Sequence, residues 1–251
     1  MFRTALYVCL FAVSSQASTL FDGSLASPSA SAFAGWYDGT GNPNGGFTID
    51  LENGIELGLR VKLRQSPNVI NTPTDLYDVP NGPQLSSPSH AAWNYEFSID
   101  LEPNGIGTLT MADIDASLTI IDLTTSATAT IDPLTYFPDD SAFGPSGKET
   151  PQQGTDWGAQ NSENPAFASF PLAAGYNENA GDLYQFTLAV TNAAHTSTLA
   201  TDTIMVQVVT PEPAAAGLFG LGIAAIALIS RRTAYSGRED KSRHRRSPAS
   251  R

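Results

Sequence analysis

The chain has 251 residues, yet it holds one cysteine and three histidines. The cysteine, Cys9, lies in an apolar N-terminal stretch, so the rest of the chain has no thiol. A disulfide framework, thiol catalysis and a cysteine metal site are therefore excluded, and packing must stabilise the fold unaided. Only His90 and His195 lie outside the two tails, one in Ser-Pro-Ser-His-Ala and one where a hairpin tip is expected. There is no Gly-x-Ser-x-Gly elbow and no His-Glu-x-x-His. The glycine-rich stretch 39–46 lacks the lysine and the strand-to-helix setting of a phosphate loop. Counting residues leaves a Ser-His-Asp set open, but both histidines read as ordinary surface residues.

Positive charge is also scarce. Between Ser18 and Thr210, only Arg60, Lys62, Arg64 and Lys148 stand against 22 acidic residues, a charge of -18 within a total of -12. Such a body repels nucleic acid and anionic lipid. Its acidity serves either solubility or the binding of divalent cations or basic surfaces. Asp113, Asp115, Asp139 and Asp140 are the calcium candidates, as oxygen ligands expected in loops, although neither pair completes a binding loop. No other cofactor is expected. A glycosidase would need two buried carboxyls with separated pKa values. The acidic residues here are instead expected on solvated strand faces and in turns.

Alternation of period two dominates the body. Ile55, Leu57, Leu59, Val61 and Leu63 alternate with Glu56, Gly58, Arg60, Lys62 and Arg64, after Phe47 to Leu51 and an Asn53-Gly54 turn. This predicts a hairpin with one apolar and one polar face. Trp93, Tyr95, Phe97, Ile99 and Leu101 mark a core strand. Residues 118–122 and 127–131 make two more strands, and 184–190 and 204–208 a closing hairpin. Residues 66–89 read as loop or edge material, and 132–180, rich in Pro, Gly, Asn and Gln, as one long loop. Trp36, Tyr37, Tyr136, Phe137 and Trp157 fall in loops, where rings either stack on sugars or plug the ends of a sandwich. The expected fold is all-β: an antiparallel β-sandwich with Ig-like or Greek-key connections over 47–210, after a flexible lead-in over 18–46.

Both ends read as targeting segments. Arg3, the apolar run 4–13 and small residues before Ala17 predict a signal peptide over 1–17, cleaved after Ala17. At the other end, 214–230 is 17 residues without a charge. As a helix it would be about 26 Å long, marginal for a hydrocarbon core of about 30 Å. Arg231 and Arg232 follow, and a basic tail, 233–251, is expected to stay in the cytoplasm. Before the apolar run stands Pro211-Glu212-Pro213, which forbids helix and keeps the chain extended, as a protease substrate must be.

This order over 211–232, a Pro-Glu-Pro motif, a short Gly/Ala/Leu helix and Arg231-Arg232, resembles the PEP-CTERM sorting signal. The resemblance implies processing by a membrane-embedded exosortase, delivery to the cell surface, and a Gram-negative bacterium that makes exopolysaccharide. Members normally end a few residues after the arginines, whereas 19 more residues follow here. Trp93-Asn94, Asp132-Pro133-Leu134 and the 184–208 hairpin also resemble extracellular domains common in that family, which carry no assigned activity. The expectation is a non-enzymatic surface or matrix protein whose partners are an exosortase, the membrane before processing, and extracellular polysaccharide. The alternatives are a carbohydrate-binding module and a secreted hydrolase.

Overall fold

The computed structural model describes residues 18–26, 35–36, 43–103, 105, 108–145, 147–172, 175–177 and 181–210. The expected signal peptide with Ala17, the sorting residues Pro211, Glu212, Pro213, Arg231 and Arg232, the basic tail and Tyr37 lie outside them. Among the described residues no helix is long and apolar enough to cross a membrane.

The chain is mostly strand with almost no helix. In order, the strands are β1 (Ser18–Gly23), β2 (Phe47–Glu52), β3 (Ile55–Leu63), β4 (Leu76–Pro80), β5 (Pro83–Gln84), β6 (Ser87–Ala91) and β7 (Trp93–Asp100). Then come β8 (Ile114–Asp122), β9 (Ala127–Ile131), a four-residue helix α1 (Pro133–Tyr136), β10 (Ser141–Gly144), β11 (Gly147–Glu149), β12 (Gly158–Glu163), β13 (Leu183–Asn192) and β14 (Thr198–Val209). The larger sheet runs β1-β2-β3-β7-β12-β10-β11, and the smaller β4-β14-β13-β8-β9. One hydrophobic core lies between them. Leu57, Leu59, Val61, Tyr95, Phe97 and Ile99 of the larger sheet share it with Leu118, Ile120, Phe186, Leu188, Ile204 and Val206 of the smaller.

The expected hairpins form where the turn chemistry placed them. Asn53 and Gly54 both have positive φ, 53° and 79°, the conformation of a two-residue hairpin turn matching strand twist. At the turn between β8 and β9, Asp122 Oδ1 accepts from the backbone N–H groups of Thr124 and Thr125.

Four expectations are corrected. The lead-in over 18–46 is not simply a flexible stretch: Ser18–Gly23 is a strand on the edge of β2, and Leu25 and Trp36 beyond it are buried. The Pro- and Ser-rich 66–89 supplies β4, which pairs in parallel with β14, so the smaller sheet is mixed rather than wholly antiparallel. The presumed loop 132–180 contains β12, an interior strand that pairs with β7 on one side and β10 on the other. Its Gly-Ala-Gln-Asn-Ser-Glu sequence lacks β-branched residues, so side-chain pattern gave no strand signal. Finally, β3 is buried on both faces, not one.

β12 begins at Gly158, packed so tightly that a Cβ there would overlap the Phe143 ring and crowd the Ile99 carbonyl. Gly158→Ala should therefore destabilise the protein by about 1–3 kcal/mol through overpacking. A lower urea midpoint with unchanged slope would show it, and an unchanged midpoint would contradict it.

Candidate functional site

The two sheets differ in their outer faces. Along β13 and β14, buried residues alternate strictly with partly exposed ones, so that face meets solvent. The outer face of the larger sheet is polar but covered over much of its length. Register sets its rows: Glu56 lies opposite Asp100, Gly58 opposite Ser98, Arg60 opposite Glu96 and Lys62 opposite Asn94. On the far side of β7, Ser162 stands beside Glu96 and Gln160 beside Ser98.

Segments of the 24–46 stretch lie on one end of this face. Ala26 N–H donates to both Glu56 carboxylate oxygens, at 2.9 and 3.1 Å. Leu25 sits where a Cβ on Gly58 would go, and Gln160 Nε2 donates to the Gly35 carbonyl at 3.0 Å. Arg60 forms a fully buried ion pair with Glu96 through Nε. Its Nη1 donates to the carbonyls of Pro43 at 2.9 Å and Gly45 at 2.6 Å. The guanidinium also lies 4.1 Å from the Phe47 ring centre and 5.0 Å from that of Trp36. This second cluster, Leu25, Trp36, Phe47 and Ile49, is what buries the polar side of β3.

Burial pushes Glu56 up to about 7. Asp100 is pushed up to about 7 as well, chiefly by burial, with the neighbouring Glu56 and Glu102 adding to it. Asp202, on the core side, is raised well above the usual carboxylate range by burial, even though it accepts backbone hydrogen bonds from Thr203 and Leu59. The expectation that most acidic residues sit on solvated strand faces and in turns fails at several positions: Asp50, Glu56, Glu96, Asp100, Asp156 and Asp202 are all buried.

Past Arg60 the same face opens into a groove of about 190 Å³. Its floor is a directional chain of hydrogen bonds. Arg64 Nη1 donates to Asn94 Oδ1 at 3.3 Å, Asn94 Nδ2 to Ser162 Oγ at 3.1 Å, and Ser162 Oγ to Glu96 Oε1 at 2.8 Å. Asn164, buried in the turn after β12, anchors the chain by donating to Asn94 Oδ1 at 2.8 Å. Arg64 lies over the Phe167 ring at 5.4 Å. Burial lowers the Lys62 pKa, an effect partly opposed by Glu96. Gln65, at the rim, holds φ at 56°, the left-handed region that non-glycine residues seldom occupy.

The residues singled out in the sequence do not converge. Asp113 is exposed and spent on a tight turn, its carboxylate accepting from Thr110 N–H and Oγ1, which holds its pKa low. Asp115 sits on β8, not in a loop, and pairs with His195 Nε2 at 3.2 Å. Asp140 is buried and accepts from Asn161 Nδ2 at 2.7 Å, with neighbouring Asp139 accepting from the same amide at 3.3 Å. Among the described residues no group of three or more His, Cys, Asp or Glu gathers to hold a metal ion, so nothing in the arrangement supports calcium at these four positions. His90 contacts Ser87 and Ser89 through Nδ1 and meets the Phe167 ring edge-on. Of the loop aromatics, Trp36 and Phe137 are buried and fill the structure, while Tyr136 is exposed. Of the groove residues, Lys62, Arg64, Asn94 and Glu96 were visible in the sequence as the polar half of two alternating strands, and Gln65 and Ser162 were not.

No family model, no curated protein and no solved structure matches the chain.

The paired Glu56 and Asp100 give a pH signature. Their ordinary pKa values are 4.5 and 3.8, and in the folded protein both lie near 7. The unfolded chain therefore gives up these protons first as pH rises. Their stabilising contribution is full below about pH 4 and is lost on the way to about pH 7. The thermal midpoint should fall between about pH 4 and pH 7, and Glu56→Gln, which keeps an acceptor for Ala26, should flatten that fall. A midpoint that rises over this range, or a slope the variant leaves untouched, contradicts the assignment.

Proposed function

We propose that the chain is a surface or extracellular-matrix protein, exported across the inner membrane of a polysaccharide-producing Gram-negative bacterium and sorted by an exosortase, with no catalytic activity of its own. One observation carries this reading: Pro211-Glu212-Pro213, then an uncharged run over 214–230, then Arg231-Arg232. The signal peptide cleaved after Ala17 belongs to the same proposal, as does an Ig-like or Greek-key connectivity for the sandwich. β14 ends at Val209, and one residue separates it from the motif. That spacing supports a handle placed just outside the last strand, where a protease could cut without breaking a sheet pairing.

The absence of catalysis is supported by what the best-placed groups do. Glu56 and Asp100 are shifted in the same direction to the same region, whereas a glycosidase acid and its partner need separated values. Both are also engaged with backbone N–H groups, of Ala26 and Glu102. The Ser87–His90 contact uses Nδ1, and among the described residues no carboxylate meets the ring's other nitrogen to orient it as a base. A second reading, a carbohydrate-binding module, is favoured by the polar groove rather than by the loop aromatics.

Glu212→Ala, or deletion of 211–213, should leave full-length protein in the inner membrane and abolish surface display. Mass spectrometry of the mature protein and surface labelling would read this out. An unchanged mature mass with normal display would refute the sorting.

A further inference from the structure

We infer that the groove formed by Lys62, Arg64, Gln65, Asn94, Glu96 and Ser162 binds a carboxylate-bearing sugar. The inference stands on the groove alone and holds or fails whether or not the tail is sorted.

The first argument is charge. Arg60, Lys62 and Arg64 are three of the four basic residues between Ser18 and Thr210, and alternation sets them on one face of one stretch of chain. Arg60 is consumed by Glu96 beneath the covering segment. Lys62 and Arg64 line the groove with Glu96 as the one carboxylate. With Glu96 already spent on Arg60, Lys62 and Arg64 leave the groove positive within a body of -18. A small cationic groove suits a small anion, and the surrounding field disfavours a dense polyanion.

Donors and acceptors give the second argument. The acceptors of the groove are already used: Glu96 Oε1 accepts from Ser162 and Oε2 from Arg60, and Asn94 Oδ1 accepts from Arg64 and Asn164. Gln65 Oε1 accepts from Gln84 Nε2 at 2.9 Å and Ser86 Oγ at 3.1 Å. Donors are in surplus. Arg64 places one N–H on Asn94, and its Nε is buried without an acceptor among the described residues, which leaves the guanidinium's remaining terminal N–H groups for a ligand. Its plane is held by Phe167 below it, so the fork is set before a ligand arrives. A planar carboxylate answers such a fork.

Shape and polarity supply the third. Leu63 is the one apolar residue among the lining residues, and the stems of the polar side chains supply the rest of the apolar surface, a mixture that suits a ring with polar substituents. At about 190 Å³ the groove is smaller than a typical drug-sized pocket and accommodates one ring unit. The amide of Gln65, exposed on a strained backbone, and the side chains of Asn94 and Ser162 border it with groups suited to hydroxyls. A ring that carries one carboxylate and several hydroxyls is a sugar acid, free or at the end of a glycan.

Isothermal titration of the full chain in detergent tests this with glucuronate, a glucuronate-containing trisaccharide, glucose and inorganic phosphate. Glucuronate, the trisaccharide or both should bind saturably, and glucose and phosphate about tenfold or more weaker. Arg64→Gln should weaken the acidic sugar about tenfold or more while the thermal midpoint stays in place. Should that variant fail to fold, glucuronate must slow the modification of Arg64 by phenylglyoxal in the unsubstituted protein. Binding of the trisaccharide alone places the site on a glycan terminus, and binding of both includes the free acid. The inference is overturned if no acidic sugar binds, if glucose or phosphate matches it, if Arg64→Gln leaves affinity unchanged, or if Arg64 is not protected.

Discussion

A cation and an anion sealed inside a sheet set the terms for everything packed on them. Arg60 and Glu96 face each other across β3 and β7 with essentially no exposure. Taking such a pair out of water costs several kcal/mol per ion unless further hydrogen bonds complete its valences. Here the completion comes from chain distant in sequence. Pro43 and Gly45 present carbonyls to the guanidinium, and Ser162 presents a hydroxyl to the carboxylate. Those demands fix the path into β2, where Gly45 and Gly46 take φ values of 144° and 70°. The Tyr77 hydroxyl then donates to Gly46 O at 2.9 Å, linking β4 of the other sheet to the same corner. An alternative register of β3 against β7 would leave one ion buried without the other, so the pair also specifies alignment.

The two outer faces solve the same problem differently. On the smaller sheet the outward row is partly exposed and includes threonines that hydrogen-bond across strands, as Thr187 does with Thr203 and Thr119 with Thr130. On the larger sheet the outward row carries full charges, and the chain folds back over it. Covering that row buries carboxylates, which is why Glu56 and Asp100 are pushed to about 7 rather than sitting in the ordinary range.

What the sequence made legible follows from how each signal arises. The hairpins of β2 with β3 and of β13 with β14 were readable because alternation and turn residues are local properties. The apolar half of β7 was readable for the same reason. β12 was not, since its strand state comes from pairing on both sides rather than from its own residues. β4 was legible only as loop or edge material, and its parallel pairing with β14 was not, because it joins positions far apart in the chain. The burial of the polar half of β3 was also hidden. Alternation reports which residues share a face, and it does not report whether a distant segment will cover that face. For the same reason Arg60, Lys62 and Arg64 could be seen to lie together, but not that one becomes a strut and two line a groove.

The division of that row has a physical order. Its Glu56–Asp100 end is negative, and the covering segment offers it a backbone N–H from Ala26. Its middle is the Arg60 cation, and the segment offers it carbonyls from Pro43 and Gly45. Each backbone group is thus matched in sign to what lies beneath it. Beyond Arg60 the row is positive again, and among the described residues none of the 24–46 stretch lines the groove there. A peptide segment carries dipoles, which can complete a buried carboxylate or a guanidinium already half-neutralised by Glu96. Dipoles of the described backbone thus complete the part of the row that is buried, while the groove beyond Arg60 keeps side chains of both signs, Lys62, Arg64 and Glu96, at its lining.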